Sequence, residues 1–442
     1  MRCRFPARVK AVQRGKPQSG SSYRKRVLDN GIRLVTERIP TLKSVTVGMW
    51  VNAGSRDETP SEAGYSHFLE HMLFKGTETR SAIDISREID ALGGEMNAFT
   101  TRETTTFYVK VLDQHLPQAL ELLADLLYRS RLSPKEIEKE KQVVLEEIRM
   151  VQDDPEDLVQ ELHTGLVMGR HPLSRPVLGL ESTIAGLRRD DLRRYLAMHY
   201  QPKDMVLAVA GNFDQNRLDR VIDRFFGNHR SPVSPDGANG RKRWPPEICG
   251  GVILKRKPLE QVHLCVGLKG VAAGHKDRYA VYALNTVLGG SVSSRLFQEV
   301  REKRGLAYSI YSFLSGYSDG GTITIYAGTR AREVERVLDV IRREIRKIAA
   351  HGIEGEELRR AKEQMKGSLM LSLESSHSRM NKLAKDELIA GQHTSLEQML
   401  MDIDELSLPR VARVAQGLFD QKTLAITCLG PLSSRQAAVL RQ

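Results

Sequence analysis

Residues 64–76 read GYSHFLEHMLFKG, and the placing of two histidines and a glutamate in this stretch organises the reading of the whole chain. With His67 at zero and about 100° per residue, Glu70 falls at about 300°, His71 at about 40° and Phe74 at about 340°. Phe68, Leu69, Met72 and Leu73 occupy the arc from about 100° to about 240°. The segment is therefore expected to be a helix with one apolar side for the core and another bearing His67, Glu70 and His71. Imidazoles four residues apart are neighbours on a helix surface, the spacing that two ligands of one metal ion need. A solvated polar face could hold the same residues without any chemistry, so the rest of the chain has to decide.

At 442 residues, 40% of them hydrophobic, the chain is long enough for two or three domains with large cores. No apolar run reaches transmembrane length, so no membrane span is expected. Cys3, Cys249, Cys265 and Cys428 are scattered and lack metal or disulfide spacing, which fits a reducing compartment. The net charge of +12 resides mainly in the first 26 residues, which hold nine Lys/Arg and no acid, leaving 12 − 9 = +3 for the remainder. That distribution argues against a nucleic-acid-binding face. The expected domain plan begins with a basic disordered tail over 1–22, since no apolar core of a secretory signal is present. A cytoplasmic location is expected, with the mitochondrial matrix as the alternative should the tail serve as a transit peptide.

Beyond the tail, strand-like and helix-like stretches alternate. SVTVGMWVNAG (44–54) has the β-branched content of a strand, NAFTTRETTTFYVKVL (97–112) reads as a strand pair, and SPKEIEKEKQVVLEEIRMVQ (133–152) as a long helix opened by Ser133 and Pro134. Residues 227–251 are dense in Gly, Pro and Ser, as a linker would be. After it the order repeats at an offset of about 217–221 residues: 261–270 echoes 44–54, 320–329 echoes 104–112, and 353–369 echoes 132–148. The expected fold class is α/β (α+β), with two homologous domains at 23–226 and 252–442, each a mainly antiparallel sheet flanked by helices. The second copy lacks the chemistry. Its helix at 278–288 has no histidine, and at an offset of 221 Ala361 and Ser368 stand opposite Glu140 and Glu147.

A catalytic zinc site usually takes three protein ligands. The long helix offers Glu136, Glu138, Glu140, Glu146 and Glu147. Its apolar stripe is Ile137, Val144, Ile148 and Val151; Glu140 and Glu147 flank that stripe, whereas Glu146 is expected to face water. Seven residues separate Glu140 from Glu147, about 10 Å along the axis, so only one of them can be a ligand.

HFLEH is an inverted zinc motif. Together with GSRDE (54–58), NAFTTRETTTFY and EKQVVLEEI, it makes residues 23–442 resemble the pitrilysin/insulinase family of metallopeptidases, within it most of all the bacterial relatives of the mitochondrial processing peptidase β subunit. The resemblance implies a clamshell-like pair of homologous domains and a zinc-dependent endopeptidase acting on peptides or unfolded segments. It implies one Zn2+ per chain on His67, His71 and Glu147, with Glu140 standing behind a ligand and Glu70 as general base. In the second half, VREKRGLAYSIYSF resembles the family's Arg/Tyr pair; Arg301 and Tyr308 fit, although Arg304 and Tyr311 share the seven-residue spacing. The strand beginning NAFTT implies substrate pairing at Asn97, Ala98 and Phe99. A homodimer is implied, with Arg301 and Tyr308 acting within one chain or across the interface. A non-catalytic scaffold sharing this fold is the alternative, but the complete set His67, Glu70, His71, Glu140 and Glu147 favours the enzyme.

Overall fold

The computed structural model describes residues 13–14, 22–227, 243–420 and 424–440. The expectation of disorder over 1–22 falls outside these residues, except at Gln13–Arg14 and Ser22, which are strand. Most of the expected linker, 228–242, also lies outside them. Contacts divide the chain into two compact units, each built on one sheet.

The first unit holds β1 (Gln13–Arg14), β2 (Ser22–Val27), β3 (Arg33–Arg38), β4 (Ser44–Val51), β5 (Glu95–Thr100), β6 (Thr105–Leu112) and β7 (Met205–Gly211), in the order β1-β2-β3-β7-β4-β6-β5. Only β3 and β7 run parallel; all other neighbours are antiparallel. β4 lies inside the sheet and is buried on both faces, which is why its sequence reads as a nearly unbroken apolar run. One face packs Trp50, Tyr108 and Ala208 against Met380, Leu383 and Ala384 of the helix Ser376–Ile389. Gly48 permits that approach, since a Cβ there would lie 2.5 Å from Met380 Sδ.

The second unit contains β8 (Gly251–Arg256), β9 (Val262–Lys269), β10 (Ala307–Gly316), β11 (Gly321–Thr329) and β12 (Ala425–Gly430), ordered β10-β11-β9-β12-β8. Here β12 and β8 are the parallel pair. The helix Pro155–Met168 packs Leu158 and Val159 against Cys265, Tyr326 and Leu429. The architecture is mixed α/β with two mainly antiparallel sheets, as expected. The helices do not follow the division expected at 227–251. Residues 372–393 belong with the first sheet, and 145–176 with the second. Amphipathic periodicity reveals which side of a helix is buried, but not which sheet buries it.

Candidate metal centre

The turn before the motif helix, Tyr65–Leu73, determines where it begins. Glu58 is buried, and its carboxylate accepts hydrogen bonds from the amides of Gly64 (2.8 Å) and Ser66 (2.7 Å). Those amides have no carbonyl within the helix to serve them. Gly64 has φ +95°, and a Cβ would come within 2.7 Å of the Leu178 carbonyl oxygen, so the position requires glycine. The helix then buries Tyr65, Ser66, Phe68, Leu69, Met72 and Leu73, leaving His67, Glu70 and His71 on its other side.

The two imidazoles stand with ring centroids 4.5 Å apart. Glu147, on the long helix Pro134–Asp153, joins them: one ligand atom from each of His67, His71 and Glu147 lies within 4.8 Å of the others. Ile137, Val144 and Ile148 form the buried stripe of that helix, while Glu146 is exposed and pairs with Arg149. Two imidazole nitrogens and a carboxylate are a donor set used by hydrolytic zinc sites, so the residues fit that metal.

The surroundings keep these donors in their binding forms. Burial, aided by the neighbouring His71, pushes the His67 imidazole down to about 3, so it is neutral at physiological pH. His71 Nδ1 lies 2.8 Å from Glu140 Oε1, and Lys75 Nζ lies 2.6 Å from Glu140 Oε2. Burial alone would raise the Glu140 carboxyl, but hydrogen bonds from His71 and Lys75 outweigh it and hold the group below the usual carboxylate range. An ionised Glu140 makes Nδ1 of His71 the protonated nitrogen and turns Nε2 into the available donor. Glu70 is held differently: Thr100 Oγ1 donates to its Oε2 at 2.6 Å. Neither Lys75 nor Thr100 figured in the sequence reading. FKG and NAFTT lie beside recognisable motifs, but no spacing rule pairs them with Glu140 and Glu70.

Asn97, Ala98 and Phe99 occupy β5, an edge strand of the first sheet, which among the described residues pairs with β6 alone. Asn97 is exposed, while Phe99 packs edge-on against Trp50 at 5.5 Å. In the second unit the Arg301 guanidinium lies over two rings, Phe297 at 4.8 Å and Tyr308 at 4.7 Å. Tyr308 is exposed on β10, the edge strand of its sheet. The other seven-residue pair is separated by its partners: Arg304 bonds Glu299, and Tyr311 bonds Glu156 and Gln160.

Residues 33–181 match the insulinase (peptidase family M16) family, and residues 186–365 match the peptidase M16 inactive domain. The chain is 44% identical over 392 residues to a zinc protease of Bacillus subtilis, covering 89% of this chain and 94% of that one. It is 42% identical over 440 residues to a zinc protease of Streptomyces coelicolor, covering 99% and 95%. Among solved structures, a protease from Helicobacter pylori shares the fold with a TM-score of 0.85 at 24% identity, over 92% of this chain and 99% of that one. Two family matches in succession and full-length similarity to zinc proteases agree with the duplicated sheet order and the His67, His71, Glu147 cluster: the chain is a member of the insulinase family, peptidase family M16.

Proposed function

We propose that the protein is a zinc-dependent endopeptidase that hydrolyses peptides or unfolded protein segments. The observation that carries this reading is the convergence of His67, His71 and Glu147, with Glu70 on the same helix face as the histidines. These three residues would hold one zinc ion per chain. When bound, zinc polarises the scissile carbonyl and lowers the pKa of a water from about 15.7 toward about 7. Glu70 takes the proton from the attacking water and delivers it to the leaving amine. Glu140 and Lys75 keep His71 in the tautomer that binds metal.

Asn97, Ala98 and Phe99 present the open edge of β5, where an extended substrate can pair as an added strand. Backbone pairing carries little side-chain information, so cleavage preference is expected to be loose. Arg301, stacked on Tyr308, supplies positive charge and a hydroxyl toward the substrate backbone and the developing oxyanion. The chain acts as a homodimer in this reading, in the cytoplasm.

The test is cleavage of an unstructured peptide by the purified chain, with and without a zinc chelator. Chelation should abolish cleavage and added zinc should restore it, with one zinc bound per active chain. Cleavage that survives complete removal of metal would overturn the reading.

A further inference from the structure

Side chains alternate along β5, and the two sets have different neighbours. Phe99 joins the cluster containing Trp50, while Met96 packs on the opposite cluster of Ile85, Leu122 and Leu126. Thr100 lies on the Met96 side, four residues along, and its hydroxyl is the group that reaches Glu70 Oε2 at 2.6 Å. The backbone beneath this hydroxyl is fixed. Thr100 pairs with Thr105 of β6, and the following amide, Thr101 N, donates to Thr104 O at 2.7 Å to close the turn.

A glutamate on a helix has three rotatable side-chain bonds, and its two oxygens can sweep a wide arc. A hydroxyl held on a sheet and bonded to one of those oxygens removes most of that freedom, and a charged acceptor makes the bond stronger than a neutral one. We propose that Thr100 is a positioning residue for Glu70, so that the strand on which the substrate pairs also aims the group that moves the proton. The inference rests on the reading of Glu70 as proton carrier and of β5 as the substrate edge. Its physical content is a single register: a substrate paired along Asn97–Phe99 and the carboxylate bonded to Thr100 are placed by the same six-residue strand.

The experiment compares Thr100→Val, which keeps the shape and loses the donor, with Thr100→Ser, which keeps the donor and loses a methyl. Both are assayed as the zinc-loaded full chain on one unstructured peptide, with kcat, KM and bound zinc measured together. Thr100→Val is expected to lower kcat by about 10–100-fold, the effect of one hydrogen bond to a charged group. KM and zinc content should stay at the wild-type values, and Thr100→Ser should recover most of kcat. A Thr100→Val enzyme with wild-type kcat would overturn the inference. So would a Thr100→Ser enzyme as impaired as the valine variant, or a loss confined to KM. Failure of the underlying reading looks different: the wild-type chain itself would then show no chelator-sensitive cleavage. If Thr100→Val does not fold, the recovery of kcat in Thr100→Ser still decides, since a merely structural methyl would predict its loss.

Discussion

Set side by side, the strands β3-β7-β4-β6-β5 of the first sheet and β8-β12-β9-β11-β10 of the second have the same order in the chain and in space. In each, the first and last strands of the set form the parallel pair. Glycines serve both sheets in similar ways. Gly48 of β4 and Gly267 of β9 are two positions out of register, since Gly48 pairs with Ala208 and the matching pairing in the second sheet is Cys265 with Thr427. Yet each lies where a Cβ would meet a helix side chain at 2.5 Å, Met380 Sδ in one case and His163 Nε2 in the other. Gly211 and Gly430, 430 − 211 = 219 apart, both adopt positive φ, +132° and +148°, with a carbonyl oxygen within 2.6 Å of the Cβ position. The halves differ in chemistry. The first carries His67 and His71, while the second has Tyr, Ala, Val and Leu on its helix Arg278–Leu288 and a buried Ala361 on the helix Gly355–Ser372. Close backbone packing is required to build each sheet; a histidine pair on the helix is not, and the helix Arg278–Leu288 carries none.

The largest expected effect tests this division of labour at the first half. Glu70→Gln should retain zinc and lose about 10²–10⁴ in kcat, because the amide keeps the shape and cannot carry the proton. Glu147→Gln should instead lose zinc, and Glu146→Gln should not, since Glu146 points outward and pairs with Arg149. Metal analysis of the three variants checks both statements. Equal zinc loss from Glu146→Gln and Glu147→Gln would mean that the helix face has been misassigned.

Next in size is the contribution of the second half. Arg301→Ala should reduce peptide turnover by about 10²-fold while leaving zinc content unchanged, and Tyr308→Phe should do so to a smaller degree. Removing Arg301 also takes a cation from between the rings of Phe297 and Tyr308, so the alanine variant disturbs both groups. Unchanged kcat/KM in both variants would leave the second copy without a catalytic part.

Much of this was legible in the sequence, for identifiable reasons. A two-sided helix at 65–73 follows from the arc of Phe68, Leu69, Met72 and Leu73, and β4 and β9 follow from their apolar runs. Helical periodicity also separated Glu147 from Glu146. Contacts that join residues distant in sequence through side chains were not legible. Thr100 with Glu70, Lys75 with Glu140 and Glu58 with the helix amides are of this kind. The helices of 145–176 and 372–393 were assigned by chain order, whereas packing assigns each to the sheet with a matching recess, Gly48 for Met380 and Gly267 for His163.

That last pair breaks the symmetry in a measurable way. His163 is buried, its Nδ1 lies 3.1 Å from Thr427 Oγ1, and its Nε2 has no hydrogen-bond partner among the described residues. Burial pushes its imidazole down to about 3. The unfolded chain, with an ordinary histidine near 6.5, binds a proton that the folded state refuses, so stability falls as pH drops from about 6.5 toward about 3. Met380 fills the recess at Gly48 in the first unit and does not titrate. Amide exchange should therefore show β9 and β12 losing protection over this window through His163, and His163→Met should remove that component. An unaltered pH profile in His163→Met would show that His163 is not its source.

The smallest effect concerns the two glycines themselves. Gly48→Ala and Gly267→Ala place the same methyl on the helix-facing sides of β4 and β9, each 2.5 Å from a helix side-chain atom. The obstacle differs. Met380 meets the new methyl with its thioether end, which can rotate about flexible bonds and refill the space. His163 meets it with a rigid ring, both Nε2 and Cε1 lying within 2.9 Å, and Val167 Cγ2 closes the site at 3.0 Å. The ring can retreat only by breaking its contact with Thr427 or by shifting the helix. Overpacking of this sort costs about 1–3 kcal/mol in a well-filled core. Gly267→Ala is expected to fall in that range and Gly48→Ala below it, as read from urea midpoints at pH 7.5 with unchanged slopes. Changing the obstacle sharpens the comparison further: His163→Met should make Gly267→Ala as mild as Gly48→Ala. If the two alanine variants are equally destabilised with His163 in place, side-chain flexibility does not set the cost, and the backbone approach shared by the two sheets does.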